Sequence, residues 1–242
     1  QNPASVQGQV SLGAGAMPDY EGASAYVLTP YLDGELHDGP YFVRFEGGAL
    51  ALNLLDMGGF HAGPLVGYRL GRGDVSNGEI SRMRHIRYSI TGGAFAEYEH
   101  RADDPRSGER VTLSAADGTL NAQTGWTVVL RALVHRPVEF VDPGLIAAVE
   151  GDLTWADSSY MQTFFSVNPV DSAASGLPLF DAGSGMESAG VAFSLDQFLS
   201  RKWSVGLRLH YGRLVGDAAK SPVVAQGSPD QFFGALVVGY VI

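Results

Sequence analysis

Cysteine is absent from this 242-residue chain, which excludes disulfides, thiolate metal sites and a cysteine nucleophile. Charge is scarce: Asp, Glu, Lys and Arg make up 17%, and 26 acidic residues outnumber 16 basic ones for a formal charge of −10. That balance offers no basic face to a phosphate backbone, so nucleic acid is excluded as a partner. No apolar run reaches the roughly 18–20 residues of a spanning helix, an exclusion that says nothing about strands. No H-E-x-x-H pair, EF-hand loop or G-x-S-x-G turn occurs, so no metal, cofactor or catalytic residue is expected. The chain begins at Gln1 without a basic segment leading into an apolar one, as expected after removal of a leader.

What the chain has is glycine and alternation. Glycine supplies 32 residues, about 13% against roughly 7% in ordinary proteins, with no collagen period. From Trp203 the odd positions read Trp203, Val205, Leu207, Leu209 and Tyr211, all apolar or aromatic. The even positions read Ser204, Gly206, Arg208, His210 and Gly212, all polar or small. That is the two-residue period of a strand. The same rule predicts ten strands at about 8–17, 25–33, 39–54, 60–70, 87–100, 123–136, 144–155, 189–199, 202–213 and 231–242. Within 39–54, Gly47-Gly48 reads as a bulge that switches parity. Pairing inside 101–122 would raise ten strands to twelve.

Two architectures give this pattern. A soluble barrel or sandwich turns the apolar parity inward, and a membrane barrel turns it toward lipid. Three features favour the membrane form. The polar parity mixes glycine and alanine with charges of both signs, as suits a narrow lumen. Aromatics such as Tyr26, Tyr41, Phe60, Tyr98, Trp126, Trp155, Trp203 and Tyr240 recur near strand ends, where headgroups favour them. Several segments have the 9 to 11 residues of a tilted crossing. Counted from the periplasm, the connections 101–122, 156–188 and 214–230 fall outside. The shorter 34–38, 137–143 and 200–201 fall inside, and 71–86, with Arg82, Arg84, His85 and Arg87, is a long inner exception. The reading is an all-β antiparallel transmembrane barrel of about ten strands, forming one domain over 1–242 with both termini periplasmic.

Several segments together resemble the MipA/OmpV family of outer-membrane proteins, the MltA-interacting protein family. They are GAGAMPDYEG (13–22), LALNLLDMGGFHAGPLVGYRLGR (50–72), GGAFAEYE (92–99), LTWADSSYMQTFFSV (153–167), SGLPLFDAGSGM (175–186), WSVGLRLHYGRLVGDAAKSPVV (203–224) and GSPDQFFGAL (227–236). Residues 101–143 resemble it least, and Ile242 departs from the terminal aromatic common in outer-membrane barrels. The resemblance implies a monomeric barrel in the outer membrane of a Gram-negative bacterium, surrounded by its lipid. One family member is described as bridging a lytic transglycosylase and a murein synthase, and others look like porins. The resemblance thus implies a periplasmic scaffold partnered by those enzymes, with a small porin or gated channel as the alternative.

The candidate residues are set by the parity. Arg44, Glu46, Arg69, Glu97, Glu99, Arg131, Glu150, Asp152, Asp196, Arg208 and His210 fall on the lumen side, where opposite charges neutralise one another. The sharper alternative is a constriction that sorts solutes by charge. His210 with Ser194 or Ser204 and Asp196 makes a triad on paper, set against a simple hydrogen bond from His210 to a lumen carboxylate. In the 156–188 connection, Tyr160, Met161, Phe164 and Phe165 are too apolar for a solvated tip and are expected to fold over the barrel mouth as a cap, with a ligand or partner surface as the alternative. Small or absent conductance is expected.

Overall fold

The computed structural model describes residues 6–104, 106–118 and 125–242. Among them twelve antiparallel strands close into a barrel. They are β1 (Gln7–Pro18), β2 (Tyr26–Asp38), β3 (Tyr41–Glu46), β4 (Ala49–Asn53, continued by Leu55–Met57), β5 (Phe60–Arg69) and β6 (Ser89–Arg101). The rest are β7 (Gly108–Gly118), β8 (Thr127–Pro137), β9 (Leu145–Ala156), β10 (Gly185–Phe198), β11 (Trp203–Leu214) and β12 (Asp230–Val241). Each strand pairs with its chain neighbours, and β1 pairs with β12 from Gln9↔Val241 to Ala16↔Gly234 to close the ring. Residues 123–124, which the alternation places at the start of a strand, lie outside the described residues.

The count is the larger of the two that the sequence allows, and two elements account for it. Gly47 and Gly48 have φ of +58° and +78° and form a two-residue hairpin turn between Glu46 and Ala49, not the expected bulge. Two consecutive left-handed residues are what such a turn requires, and glycine adopts them without a Cβ clash. The second element is β7, whose Val111 and Leu113 alternate with Arg110, Thr112 and Ser114 inside the stretch expected to be an outer loop. The ladder of β4 breaks at Leu54. There Asn53 Oδ1 accepts from the backbone N–H of both Leu55 and Ala62, replacing the missing rungs.

The extra hairpin reverses the sides of three connections, the first being 58–59, which falls at the inner end. Segment 70–88 lies at the outer end, not the inner one, and 102–107 is an inner turn. The long inner exception therefore disappears. The inner turns 39–40, 58–59, 102–107, 138–144 and 199–202 are all short. The long connections 70–88, 157–184 and 215–229 gather at the opposite end from both termini.

Side-chain direction decides between lipid and core. Leu12, Leu113, Leu130, Val149, Val191, Leu209 and Leu236 are exposed on the barrel exterior, while Ser11, Arg44, Thr91, Glu97 and Ser204 are buried inside. A soluble barrel would show the reverse. Aromatic pairs mark both rims: Phe60–Tyr98 and Trp203–Tyr240 at the inner end, Tyr68–Tyr88 and Tyr211–Phe232 at the outer. These are the interfacial girdles of a membrane barrel.

Candidate functional site

The lumen is crossed by ion pairs held on different strands. Arg44 on β3 grips Glu97 on β6 with two bonds, Nη1–Oε2 at 2.6 Å and Nη2–Oε1 at 2.9 Å. Its Nε donates to Glu35 on β2. Thr112 Oγ1 on β7 donates to Glu97 at 2.7 Å, and Arg110 lies 3.6 Å from Glu97 and 3.7 Å from Glu46. Such a bidentate, fully hydrogen-bonded arrangement is the form in which a buried pair repays its desolvation. The Arg44 guanidinium also lies 4.6 Å over the Phe42 ring. Phe42, Phe95, Ala51 and Leu65 pack inside the barrel beside it.

A second crossing joins β11 to β2. Arg208 donates from Nε to Asp33 at 2.7 Å and from Nη2 to Asp196 at 3.0 Å. Glycine makes room for these groups. A Cβ on Gly206 would stand 2.7 Å from Asp196 Oδ1, and one on Gly190 would stand 2.5 Å from His210 Nε2. His210 Nε2 bonds Asp152 at 2.9 Å, Arg131 lies 3.8 Å from Glu150, and His61 lies 3.7 Å from Glu99. Arg69 donates to the Gly125 carbonyl at 3.2 Å and sits 4.7 Å over the Tyr160 ring.

All eleven lumen candidates thus stand at inward positions with a partner. Three equally important residues escape the sequence reading. Glu35 falls in an expected connection and Arg110 in an expected loop, because 34–38 and 101–122 do not read as strand; Asp33 ends its segment without an assigned role. The paper triad is not assembled. Asp196 belongs to Arg208, His210 to Asp152, and Ser204 accepts a hydrogen bond from Gln9. Among the described residues no group of three or more His, Cys, Asp or Glu is placed to hold a metal ion.

The outer mouth is covered by packed helices. Helix α1 (Ser158–Phe165) starts at Asp157, whose carboxylate accepts from the Tyr160 N–H at 2.9 Å. Asn168 caps α2 (Pro169–Ser175) in the same way. These satisfy backbone donors that the first helical turn leaves free. Tyr160, Met161, Phe164 and Phe165 are buried against Ile86, Leu214, Ala218 and Val224. Ala218 and Val224 come from α3 (Gly216–Lys220) and α4 (Pro222–Ala225). A second apolar cluster joins Tyr20, Ile80, Met83, Val167, Leu177 and Val223. Arg84 fastens the two longest connections, donating to Asp171 at 2.5 Å. The Tyr160 hydroxyl donates to Glu21 at 2.5 Å; burial pushes the Glu21 carboxyl above its usual range and raises the Tyr160 phenol too.

Cavities lie along the lumen among the described residues. One of about 490 Å³ lies under the cap, one of about 150 Å³ beside Arg110 and Arg131, and one of about 360 Å³ at the inner mouth beside His37, His61 and Glu99.

A closed ring of antiparallel strands with an apolar exterior, aromatic rims and a charged interior defines an outer-membrane β-barrel. The family model for the MltA-interacting protein MipA matches residues 10–242, and the chain belongs to that family. Its place is therefore the outer membrane of a Gram-negative bacterium. No curated protein matches the chain. Among solved structures it is similar to OmpT of Vibrio cholerae (TM-score 0.43, 8% identity, covering 100% of this chain and 99% of that one). It is also similar to an outer-membrane channel from Pseudomonas putida F1 (TM-score 0.41, 12% identity, 100% and 97% covered). A third is the outer-membrane protein opdK from Pseudomonas aeruginosa (TM-score 0.31, 10% identity, 98% and 99% covered).

Proposed function

We propose that this chain is a closed barrel serving as a periplasmic-side scaffold, with a lytic transglycosylase as its partner and no reaction of its own. The observation that carries the reading is an apolar knuckle on an ordered inner turn. In 138–144, Phe140 is 91% and Val141 64% exposed. Arg106 of the neighbouring turn holds that turn, donating to Glu139 at 2.5 Å and to the Pro143 carbonyl at 3.2 Å. Large apolar side chains held rigidly in solvent are the usual anchors of a protein interface. The family's description as MltA-interacting supports a murein-cleaving partner; a murein synthase would be the second enzyme bridged.

Capture of the transglycosylase from envelope extracts by the full chain tests this. Replacing Phe140 and Val141 with serine should reduce capture at least tenfold while the barrel still folds. Capture that is absent in the unaltered chain, or unchanged in the variant, contradicts it.

A gated passage for small solutes is the second reading, and the cavity of about 490 Å³ under the cap is what favours it. The ion pairs below the cavity and the helices above it favour closure.

A further inference from the structure

The barrel wall is incomplete on one side. Strand β3 pairs with β2 only from Gly34 to Asp38, because the β3–β4 hairpin turns back at Gly47–Gly48. Among the described residues no strand pairs with the other edge of β2 from Tyr26 to Asp33. Eight residues of strand run about 26 Å. Exposure records the gap: Leu28 is 88% exposed on the outer face, and Val27, on the opposite face, is 41% exposed. Pro30 lies in this stretch, where a residue without an N–H costs no ladder bond. On the far side the hairpin tip meets β5 through Tyr68 N–H to the Gly48 carbonyl.

The cavity under the cap reaches this gap. Its lining includes Gly47, Gly48 and Ala49 at the hairpin tip, and Tyr68 and Leu70, which stand exposed on the lipid side. It also includes the lumen groups Asp152, Glu187 and His210. The charged groups facing it are mostly occupied. Asp152 is held by His210, Glu187 accepts from Ser188, and Asp19 accepts from Ser76. Two groups are the exceptions. Glu21 lines the cavity with Oε2 unpartnered, on a carboxyl that burial raises toward the neutral acid. Arg72 is 3% exposed and lines the cavity, and while Nη1 donates to the Phe164 carbonyl, Nε and Nη2 have no partner. Those two nitrogens form the edge that grips an oxyanion bidentately. Burial and the neighbouring Arg84 lower its pKa to about 10, so the group stays charged at neutral pH.

We infer that the gap between β2 and β5 is a lateral port admitting a single-chain amphiphile from the outer leaflet, its oxyanion head on the free edge of Arg72 and its alkyl chain leaving through the wall. The port opens sideways into the chamber above the ion-pair layers, so it coexists with a barrel closed to through-flux and does not depend on the periplasmic partner.

The test uses dodecyl phosphate carrying a photoreactive diazirine on its chain, with the full chain in lipid nanodiscs and labelled positions read by mass spectrometry. Labelling is expected to concentrate on Leu28, Tyr68 and Leu70, at least tenfold above Leu130 and Val149 on other parts of the belt. Arg72→Gln should bring the first three down to the belt level and leave Leu130 unchanged, an internal check on folding. Ala49→Trp, which fills the passage and keeps Arg72, should do the same. Uniform labelling of the belt, or labelling unaffected by both variants, overturns the port. Competition by inorganic phosphate as strong as by unlabelled dodecyl phosphate overturns the amphiphile and leaves a site for a free anion.

Discussion

At the scale of residues, the lumen is held by charges that cannot be removed singly. Arg44 serves Glu97 and Glu35 at once, so Arg44→Leu leaves two carboxylates inside the barrel without their main partner. Breaking a buried pair in this way costs about 3–5 kcal/mol. Urea unfolding followed by tryptophan fluorescence should show that loss, and Arg44→Leu combined with Glu97→Gln should recover part of it. Glu21 gives the cap a pH dependence of defined sign. Its carboxyl is raised by burial, so the folded cap favours the protonated acid. The stabilisation is present in full below the ordinary carboxylate value and is lost as pH rises past the elevated one. Protection of 157–184 from protease should fall over that rise, and Glu21→Gln should weaken that dependence.

At the scale of elements, the β3–β4 hairpin decides both strand number and which end each connection occupies. Gly48 at φ +78° tolerates no branched side chain, and Gly48→Val should cost about 1–2 kcal/mol. A drop in midpoint with an unchanged unfolding slope would show it. The strands and their facing are legible in the sequence because alternation survives wherever one face meets lipid. Leu209 beside Arg208 and His210 is sufficient to orient β11. The hairpin is not legible, because Gly47-Gly48 is compatible with either a bulge or a turn, and only pairing partners distinguish them. Strand β7 is legible in principle: Val111 and Leu113 alternate with Arg110 and Thr112, but flanking Asp103-Asp104 and Asp117-Gly118 make the stretch read as loop. The cap residues Tyr160, Met161, Phe164 and Phe165 are visible as side chains unsuited to water. Their contacts with Ile86 and Val224 are not, since these come from connections distant in sequence. The lateral gap is invisible for the same reason: it is an absence of pairing, which no local pattern records.

At the scale of the whole molecule, the abundant glycine and sparse charge have one explanation. Lipid covers the apolar parity, glycine leaves room for paired side chains within, and few charges are needed because almost all of them face inward or lie at the ends. On the proposed function the barrel is occluded twice, by the buried helices of the cap and by the Arg44–Glu97 and Arg208–Asp196 layers beneath. On that reading no continuous water path joins the two faces of the membrane. Single-channel recording of the purified full chain in a planar lipid bilayer tests it most directly. No steady open state is expected, only brief and small openings; a stable, large conductance carried by the unaltered chain would contradict closure.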